Sequence, residues 1–233
     1  MKTINDFDFK DKKALVRVDF NVPQDADLKV TDNTRIQAVK PTIEKILNDG
    51  GSVILMTHLG RPKGKVSEEF SLKNILPEIE KVLGKPVKFS DDCIGAEAKK
   101  MSADLQPCEI LLLENLRFYD EEENGDEAFA KQLADLGDAY VNDAFGTAHR
   151  AHASTAVIAQ YFPSTKFFGL LMAKELEAID KVLKRGDKPI TAILGGSTVP
   201  SKITIIQNML PAIDILFIGG GMAFTFIRAL GGD

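Results

Sequence analysis

Short apolar runs, each ending abruptly in polar residues, recur along the first 150 residues of the chain. One of them, residues 53–56, is wholly apolar, which is typical of a strand buried on both faces of a parallel sheet. It gives way at once to Thr57, His58, Gly60 and Arg61. Packing alone does not require that order. Because ligands bind beyond the carboxyl ends of the strands in an open α/β sheet, a cationic side chain beside a glycine favours an anionic ligand there.

Three further apolar runs end in the same way, and the four polar clusters together contain all three histidines of the chain. The other clusters are Asp19-Phe20-Asn21 after residues 15–18, Glu114-Asn115-Leu116-Arg117 after residues 110–113, and Asn142-Asp143 with His149, Arg150 and His152 after residues 139–141. A single arginine behind a strand is more often a salt-bridge partner than a ligand. Independent salt bridges need not all fall at the same end of consecutive strands, so the repetition favours one shared anion site.

Helical patterns alternate with these strands, which predicts an α/β fold with a parallel sheet. The predicted strands of this part are residues 14–20, 52–57, 87–89, 109–113 and 139–141, and the predicted helices are about residues 35–48, 71–83, 93–101, 127–136 and 154–161. Pro41 predicts either a kink in the first helix or a later start. The acidic run at residues 121–127 is interpreted as a solvated loop that leads into a helix.

A second unit is predicted after a boundary near Pro163. Residues 173–185 have apolar side chains at helical spacing, which predicts one amphipathic helix. Beyond Pro189, strands at 190–194 and 213–218 each run into glycines and then into helices, at 200–209 and 222–230. We therefore expect an α/β chain: a doubly wound parallel sheet first, and then a partial second α/β domain.

The glycine turn of the second unit has its own chemistry. Gly195 and Gly196 lie between a predicted strand and a predicted helix, where backbone N–H groups and the helix dipole suit a phosphate. The pair is neither the dinucleotide fingerprint nor a Walker loop, so by itself it is a weak signal. Lys202 either reaches the same anion or is a solvated surface lysine.

Composition limits the classes of function. The chain has 233 residues, 44% of them hydrophobic, and a net charge of -5 with a pI near 5.4. No basic face dominates, which argues against nucleic acid as a partner. No apolar run approaches membrane-spanning length, and the charged first residues lack the core of a signal peptide, so the expected location is cytoplasmic. Cys93 and Cys108 lack metal-ligand spacing and are expected to be reduced thiols.

The motifs together resemble those of the phosphoglycerate kinase family, in order and in spacing. They are residues 17–23 (RVDFNVP), 57–62 (THLGRP), 114–118 (ENLRF), 148–152 (AHRAH) and 219–226 (GGGMAFTF). The resemblance covers the whole chain. It implies a phosphoglycerate-binding domain at residues 1–165, a hinge segment with the interdomain helix at 166–188, and an incomplete nucleotide-binding domain at 189–233. It also implies the glycolytic transfer of a phosphoryl group between 1,3-bisphosphoglycerate and ADP, which gives 3-phosphoglycerate and ATP with Mg²⁺.

The resemblance assigns a role to individual residues. The residues implied to bind phosphoglycerate are Asp19, Phe20, Asn21, Arg35, His58, Leu59, Gly60, Arg61, Arg117 and Arg150, and those implied to bind the nucleotide are Ser197, Thr198, Lys202 and Gly220. Arg35 is the implied catalytic residue, because its counterpart in the family helps to stabilise the charge on the moving phosphoryl group. No residue is assigned to the metal, which is implied to arrive with ATP or ADP.

The expected chemistry needs no general base. The nucleophile in the ATP-consuming direction is a carboxylate, which is already ionised at pH 7. Catalysis should therefore consist of positioning and of neutralising the charge on the transferred group. A domain closure that brings the two ligands together is a further implication of the resemblance.

Two departures from the family pattern keep alternatives open. Threonine stands at position 198, where the family has a lysine that contacts the transferred phosphoryl group, and Pro200 is also unusual there. The chain ends at Asp233, before the remaining strands of the nucleotide domain. The first alternative is a module that binds phosphoglycerate without transfer, because Thr198 replaces the lysine and the rest of the nucleotide domain is absent. Separately, the exposed strand edges of the incomplete sheet suggest pairing with a second copy. The second alternative is a nicotinamide oxidoreductase, which the missing dinucleotide fingerprint disfavours.

Overall fold

Six parallel strands form the central sheet of the first unit in a computed structural model that describes residues 2–148, 150–185, 187–196 and 202–232. The strands are β1 (Lys13–Arg17), β2 (Ser52–Met56), β3 (Lys88–Ser90), β4 (Ile110–Leu113), β5 (Ala139–Asn142) and β6 (Lys166–Phe168). Their order across the sheet is β3-β4-β2-β1-β5-β6. Because the order reverses direction beside β1, this is the doubly wound sheet that the sequence predicts.

The register of the central strands brings the polar clusters to one edge of the sheet. Arg17, the last residue of β1, is paired with Met56 of β2 and with Asn142 of β5. Leu113 of β4 lies level with Ser90 of β3. All these strands are parallel, so the residues that follow them leave from the same carboxyl edge, as the repeated pattern predicts.

Helices cover both faces of this sheet. They are α1 (Thr34–Asn48), α2 (Leu76–Leu83), α3 (Ala96–Ala103), α4 (Asp120–Asn124) and α5 (Glu127–Ala134). Strand residues alternate between two apolar cores: Val16 and Leu55 pack into one with the buried face of α1, whereas Leu15 and Ile54 pack into the other with Phe129 of α5. Burial on both faces explains why the central strands are continuous apolar runs.

Three local features differ from the expectations. Pro41 lies inside a single helix that runs from Thr34 to Asn48, so a later start of that helix was wrong. Ser71 caps a short 3-10 turn, Leu72–Asn74, and α2 starts only at Leu76. The predicted helix at 154–161 is a 3-10 helix, Val157–Tyr161.

The acidic run is not a solvated loop. Its residues form the short helix α4 and the start of α5, which Asp126 caps by accepting a bond of 2.7 Å from the N–H of Phe129. Glu122 is 1% exposed and accepts hydrogen bonds from Ser154. The interpretation as a loop was therefore wrong, and for Glu122 the solvation was wrong as well.

The second unit comprises Lys174–Asp233, and the first comprises Met1–Ala173. The long helix α6 (Leu170–Arg185) starts in the first unit, just after the unpredicted strand β6. Beyond α6, the described residues of the second unit form the parallel strands β7 (Thr191–Gly195) and β8 (Ile215–Gly219) and the helices α7 (Ile203–Met209) and α8 (Met222–Ala229). No helix among the described residues is long and apolar enough to cross a bilayer.

Candidate functional site

Arg35 and Asp19 approach each other at the carboxyl edge of the sheet. Asp19 follows β1, and Arg35 lies in the first turn of α1. Nη1 of Arg35 is 3.0 Å from Oδ2 of Asp19, and the Arg35 side chain is 52% exposed. The other carboxylate oxygen of Asp19 accepts from the N–H of Asn21 at 3.2 Å. Asp19 therefore orients the guanidinium of Arg35, which remains exposed to solvent.

Gly60 connects two of the polar clusters through its backbone. Its N–H donates to Oδ1 of Asn21 at 2.9 Å, and its carbonyl accepts from Nη1 of Arg117 at 3.0 Å. Its φ is +63°, and a Cβ added here would lie 2.3 Å from the ring of Phe70. Only glycine suits that backbone conformation and that space, which is why the turn after β2 contains one.

His58 is held as a neutral hydrogen-bond donor. It is buried, and its Nδ1 lies 3.2 Å from Nη2 of Arg17. Arginine has only donors, so Nδ1 must accept and the ring proton must be on Nε2. The pKa of His58 is lowered to about 2, and burial is the largest cause. The charges of Arg17 and Arg117, and then of His152 and Arg150, contribute to the same shift. At neutral pH the residue can therefore offer a ligand its Nε2–H but no charge.

The remaining arginines supply the positive charge. Arg117 is buried, and its Nη2 is 3.1 Å from Oε1 of Glu123. Burial lowers the pKa of Arg117, yet a guanidinium stays protonated at neutral pH. Arg61 and Arg150 are exposed, and the charge of Arg150 acts on both His58 and Arg117. Planar guanidinium groups of this kind suit a phosphate or a carboxylate.

Phe20 and Leu59 contribute differently from the other residues assigned to phosphoglycerate. Both side chains are buried in the apolar core, so neither is available to a polar ligand. The N–H of Phe20 donates to Oγ1 of Thr57 at 2.9 Å, and the carbonyl of Leu59 accepts from Nδ2 of Asn115 at 2.8 Å. These contacts tie the polar clusters to one another, and the two residues shape the site through their backbone.

Asp143 turns away from the other polar residues. Its Oδ1 accepts from the N–H of Met172 at 2.9 Å, at the start of α6, and its Oδ2 is buried without a hydrogen-bond partner. Burial raises its pKa. A Cβ on Gly169 would lie 2.2 Å from Cγ of this carboxylate, so the chain passes very close to it. Asp143 thus anchors α6 to the end of β5.

Sequence reasoning assigned no role to three buried polar residues behind the site. Arg17 is 1% exposed, and its Nε donates to Oγ of Ser154 at 2.9 Å. That hydroxyl donates in turn to Oε1 of Glu122 at 2.5 Å. The available signal was Arg17 itself, a charged residue that directly follows the apolar, buried residues 14–16 of β1.

Lys202 and Gly220, two of the residues that the resemblance assigns to the nucleotide, lie beside the glycine turns of the second unit. Nζ of Lys202 donates to the carbonyl of Gly195 at 2.8 Å, and the N–H of Met222 donates to the carbonyl of Gly196 at 2.9 Å. Gly220 has φ +67°, and a Cβ there would lie 2.9 Å from the carbonyl oxygen of Gly196. The two glycine turns after β7 and β8 therefore touch. Ser197, Thr198 and Pro200 lie outside the described residues.

Comparison with known proteins identifies relatives along the whole chain. The family model described as phosphoglycerate kinase matches residues 4–233. A protein named phosphoglycerate kinase from Moorella thermoacetica is 54% identical over 229 residues, which are 98% of this chain and 58% of that protein. One of the same name from Porphyromonas gingivalis is 52% identical over 254 residues, 99% of this chain and 60% of that protein.

Solved structures agree with this result. The crystal structure of phosphoglycerate kinase from Pyrococcus horikoshii has a TM-score of 0.84 at 33% identity and covers 100% of this chain and 58% of that one. The structure of phosphoglycerate kinase from Coxiella burnetii has a TM-score of 0.83 at 37% identity, with 98% and 57% covered. The chain thus spans about three fifths of the length of the relatives it matches.

Proposed function

Because this chain belongs to the phosphoglycerate kinase family, we propose that it binds 3-phosphoglycerate at the carboxyl edge of its first sheet and takes part in phosphoryl exchange with ATP. The observation that carries the proposal is that Asp19, Asn21, His58, Arg61, Arg117 and Arg150 all follow strands that end at one edge of the sheet, with Arg35 paired to Asp19. A small acid that carries both a phosphate and a carboxylate suits this combination of fixed positive charge and neutral hydrogen-bond donors.

The proposed binding mode divides the ligand between two kinds of group. Arg61, Arg117 and Arg150 neutralise its phosphate, and the Nε2–H of His58 donates a hydrogen bond without adding charge. Asp19 and Asn21 order the site and accept from the hydroxyl of the ligand. Arg117 is preorganised for this role, because Gly60 and Glu123 already hold two of its nitrogens.

The proposed reaction is a direct transfer. A carboxylate oxygen of 3-phosphoglycerate attacks the γ-phosphorus of ATP, a new P–O bond forms, and the bond to the β,γ-bridging oxygen breaks to release ADP. No proton moves, since the nucleophile is ionised at pH 7. The contribution of Arg35 is to lie beside the transferred group and to stabilise its charge, for which its solvent-open guanidinium is suited.

On the nucleotide side, Lys202 and Gly220 are the proposed contacts among the described residues, and Ser197 and Thr198 are proposed from the resemblance alone. Mg²⁺ would enter with the nucleotide phosphates and would supply further neutralisation there. In proteins this ion usually takes one or two carboxylates together with substrate phosphates. The described residues have no group of three or more His, Cys, Asp or Glu side chains that could hold a metal by itself.

The finer parts of the proposal rest on the family. The glycolytic role implied by the family name makes the cytoplasm the proposed location. For the oligomeric state, pairing of the incomplete second sheet with another copy stays a prediction that rests on its strand edges. The relatives' names favour a kinase over the module that binds without transfer, and they disfavour a nicotinamide oxidoreductase.

An assay of ATP-dependent phosphorylation of 3-phosphoglycerate, coupled to removal of 1,3-bisphosphoglycerate, tests the activity. We expect turnover that Arg35→Ala lowers by roughly a hundredfold or more in kcat, as when one preorganised charge is lost from a transition state. A matched control is Lys40→Ala, which removes a cation of the same helix that pairs with Glu44 instead. Absence of turnover by pure, folded protein would contradict the transfer step and leave the binding site to be tested separately.

A further inference from the structure

A buried chain of three side chains lies behind His58. Nη2 of Arg17 is 3.2 Å from Nδ1 of His58, and Nε of Arg17 is 2.9 Å from Oγ of Ser154. Oγ of Ser154 is in turn 2.5 Å from Oε1 of Glu122. Arg17, Ser154 and Glu122 are all fully or almost fully buried. These three residues are called the relay below.

Each link of the relay has only one possible polarity. Arg17 has donors only, so Oγ of Ser154 must accept from it and must give its single hydrogen to Glu122. The Glu122 carboxylate suits the role of acceptor, because it also accepts from the N–H of Ser154 at 3.0 Å. At the other end, the same guanidinium can only donate to Nδ1 of His58. The proton of the neutral His58 ring is therefore fixed on Nε2.

Glu122 also fixes the segment that contains Arg150. Its backbone carbonyl accepts from the N–H of Ala153 at 2.9 Å, and its Oε1 is 3.9 Å from Nδ1 of His152. A buried carboxylate is unfavourable unless it is paired. Here the positive charge that compensates it is Arg17, one hydroxyl away.

We propose that Glu122, acting through Ser154, is a positioning residue of the phosphoglycerate site, which holds Arg17 against Nδ1 of His58 and leaves the Nε2–H of His58 for the ligand. The inference rests on the proposed function only in naming that ligand. The tautomer of His58 belongs to the ligand-free protein, so it can be measured separately.

The first test reads the tautomer by ¹⁵N NMR of histidine side chains in the ligand-free protein. The chain has three histidines, so His58 can be assigned with His58→Gln. We expect a non-protonated Nδ1 and a protonated Nε2 in the wild type. Ser154→Ala removes one oxygen and leaves Arg17 held mainly by its bond to the carbonyl of Val18. It should therefore loosen Arg17 and give a mixture of tautomers at His58. Glu122→Gln should do the same. The matched control is Glu121→Gln, an exposed acid one residue earlier, which should leave the spectrum unchanged.

The second test measures 3-phosphoglycerate binding to the same variants by calorimetry. Losing one orienting hydrogen bond should weaken binding roughly three- to tenfold in Ser154→Ala, with no change in Glu121→Gln. A wild type protonated at Nδ1, or a folded Ser154→Ala protein with an unchanged tautomer and affinity, would overturn the proposal. If Glu122→Gln does not fold, Ser154→Ala decides. A tautomer that responds as expected in a protein that binds no 3-phosphoglycerate would support the relay and refute the proposed ligand.

Discussion

Nη1 of Arg35 lies 3.0 Å from Oδ2 of Asp19, although the Arg35 side chain is 52% exposed. An exposed ion pair of this kind contributes only about 0–1 kcal/mol to stability. Its importance is therefore in orientation: Asp19, fixed behind β1, selects one of the many directions in which a long arginine side chain could point. In the proposed reaction that direction is toward the transferred phosphoryl group.

Asp19→Asn should separate orientation from stability. We expect the free energy of unfolding in urea to change by less than about 1 kcal/mol, because the pair is exposed. In the kinase assay, kcat should fall roughly tenfold, because Arg35 loses its fixed direction. Glu44→Gln is the control, since it removes the carboxylate of another exposed pair on α1, with Lys40. Equal activity of the two variants would show that Asp19 does not orient Arg35.

Gly125 and Gly84 provide a matched pair for the turn that holds the Arg150 segment. Both end a helix in the left-handed region, with φ +67° and +66°. A Cβ at Gly125 would lie 2.5 Å from the carbonyl oxygen of Ala151, whereas a Cβ at Gly84 would meet nothing within 4 Å.

Gly84→Ala should therefore lower the free energy of unfolding by about 1–2 kcal/mol, the cost of the backbone conformation alone. Gly125→Ala should cost about 1–3 kcal/mol more, since backbone must move, and it should also weaken 3-phosphoglycerate binding. Urea denaturation and calorimetry measure the two effects. Equal destabilisation by both substitutions would mean that the carbonyl of Ala151 does not lie close to Gly125.

The low pKa of His58 makes stability depend on pH. In the unfolded chain His58 takes up a proton near its ordinary pKa of 6.5, but in the folded protein its pKa is about 2. The unfolded state thus binds more protons as the pH falls below 6.5. The free energy of unfolding therefore falls by about 1.4 kcal/mol per pH unit, which amounts to about 2 kcal/mol at pH 5 relative to pH 8.

His58→Gln should remove that loss. Urea unfolding at pH 8 and pH 5 should show the wild type weakening by about 2 kcal/mol more than the variant. Burial also lowers the pKa of His152, a shift of the same sign, but this residue is present in both proteins and cancels in the comparison. Parallel pH profiles for the two proteins would contradict a buried neutral His58.

A substitution at Lys202 tests the proposed nucleotide site of the second unit. Its Nζ rests on the carbonyl of Gly195, at the turn proposed to receive the nucleotide. Lys202→Ala should reduce nucleotide affinity roughly tenfold, as expected for the loss of a charge-assisted hydrogen bond to a phosphate, and it should leave 3-phosphoglycerate binding unchanged. Lys188→Ala is the control, since that exposed lysine pairs with Asp214. Calorimetry with ADP decides, and an equal effect of the two substitutions would refute the role of Lys202.

The sequence predicted the sheet and the carboxyl-edge clusters because both follow from local patterns. Residues 53–56 are apolar throughout, and a strand buried on two faces has that composition. The strand Lys166–Phe168 was missed because its form depends on pairing with β5 and not on a local pattern. Its length alone does not explain the miss, since the equally short β3 was predicted.

The relay could not be predicted, because burial there is set by distant partners. Glu121, Glu122 and Glu123 look equivalent in sequence, yet Ser154, far along the chain, accounts for the burial of Glu122 alone. Similarly, the chain does not reveal that Asp143 turns toward Met172 of α6. Sequence patterns locate the edge where a site forms, and tertiary contacts decide which of its polar residues face the ligand.

Calorimetric titration of 3-phosphoglycerate into the folded protein, at low and then at moderate salt, tests the central claim most directly. A site built from Arg61, Arg117 and Arg150 should give saturable binding to one site that weakens as salt screens the charges. Arg117→Lys should weaken it further, because the rigid fork that Gly60 and Glu123 hold in place is lost. Saturable, salt-sensitive binding would support the proposed site. No binding by folded protein, or binding unchanged by salt and by Arg117→Lys, would contradict it.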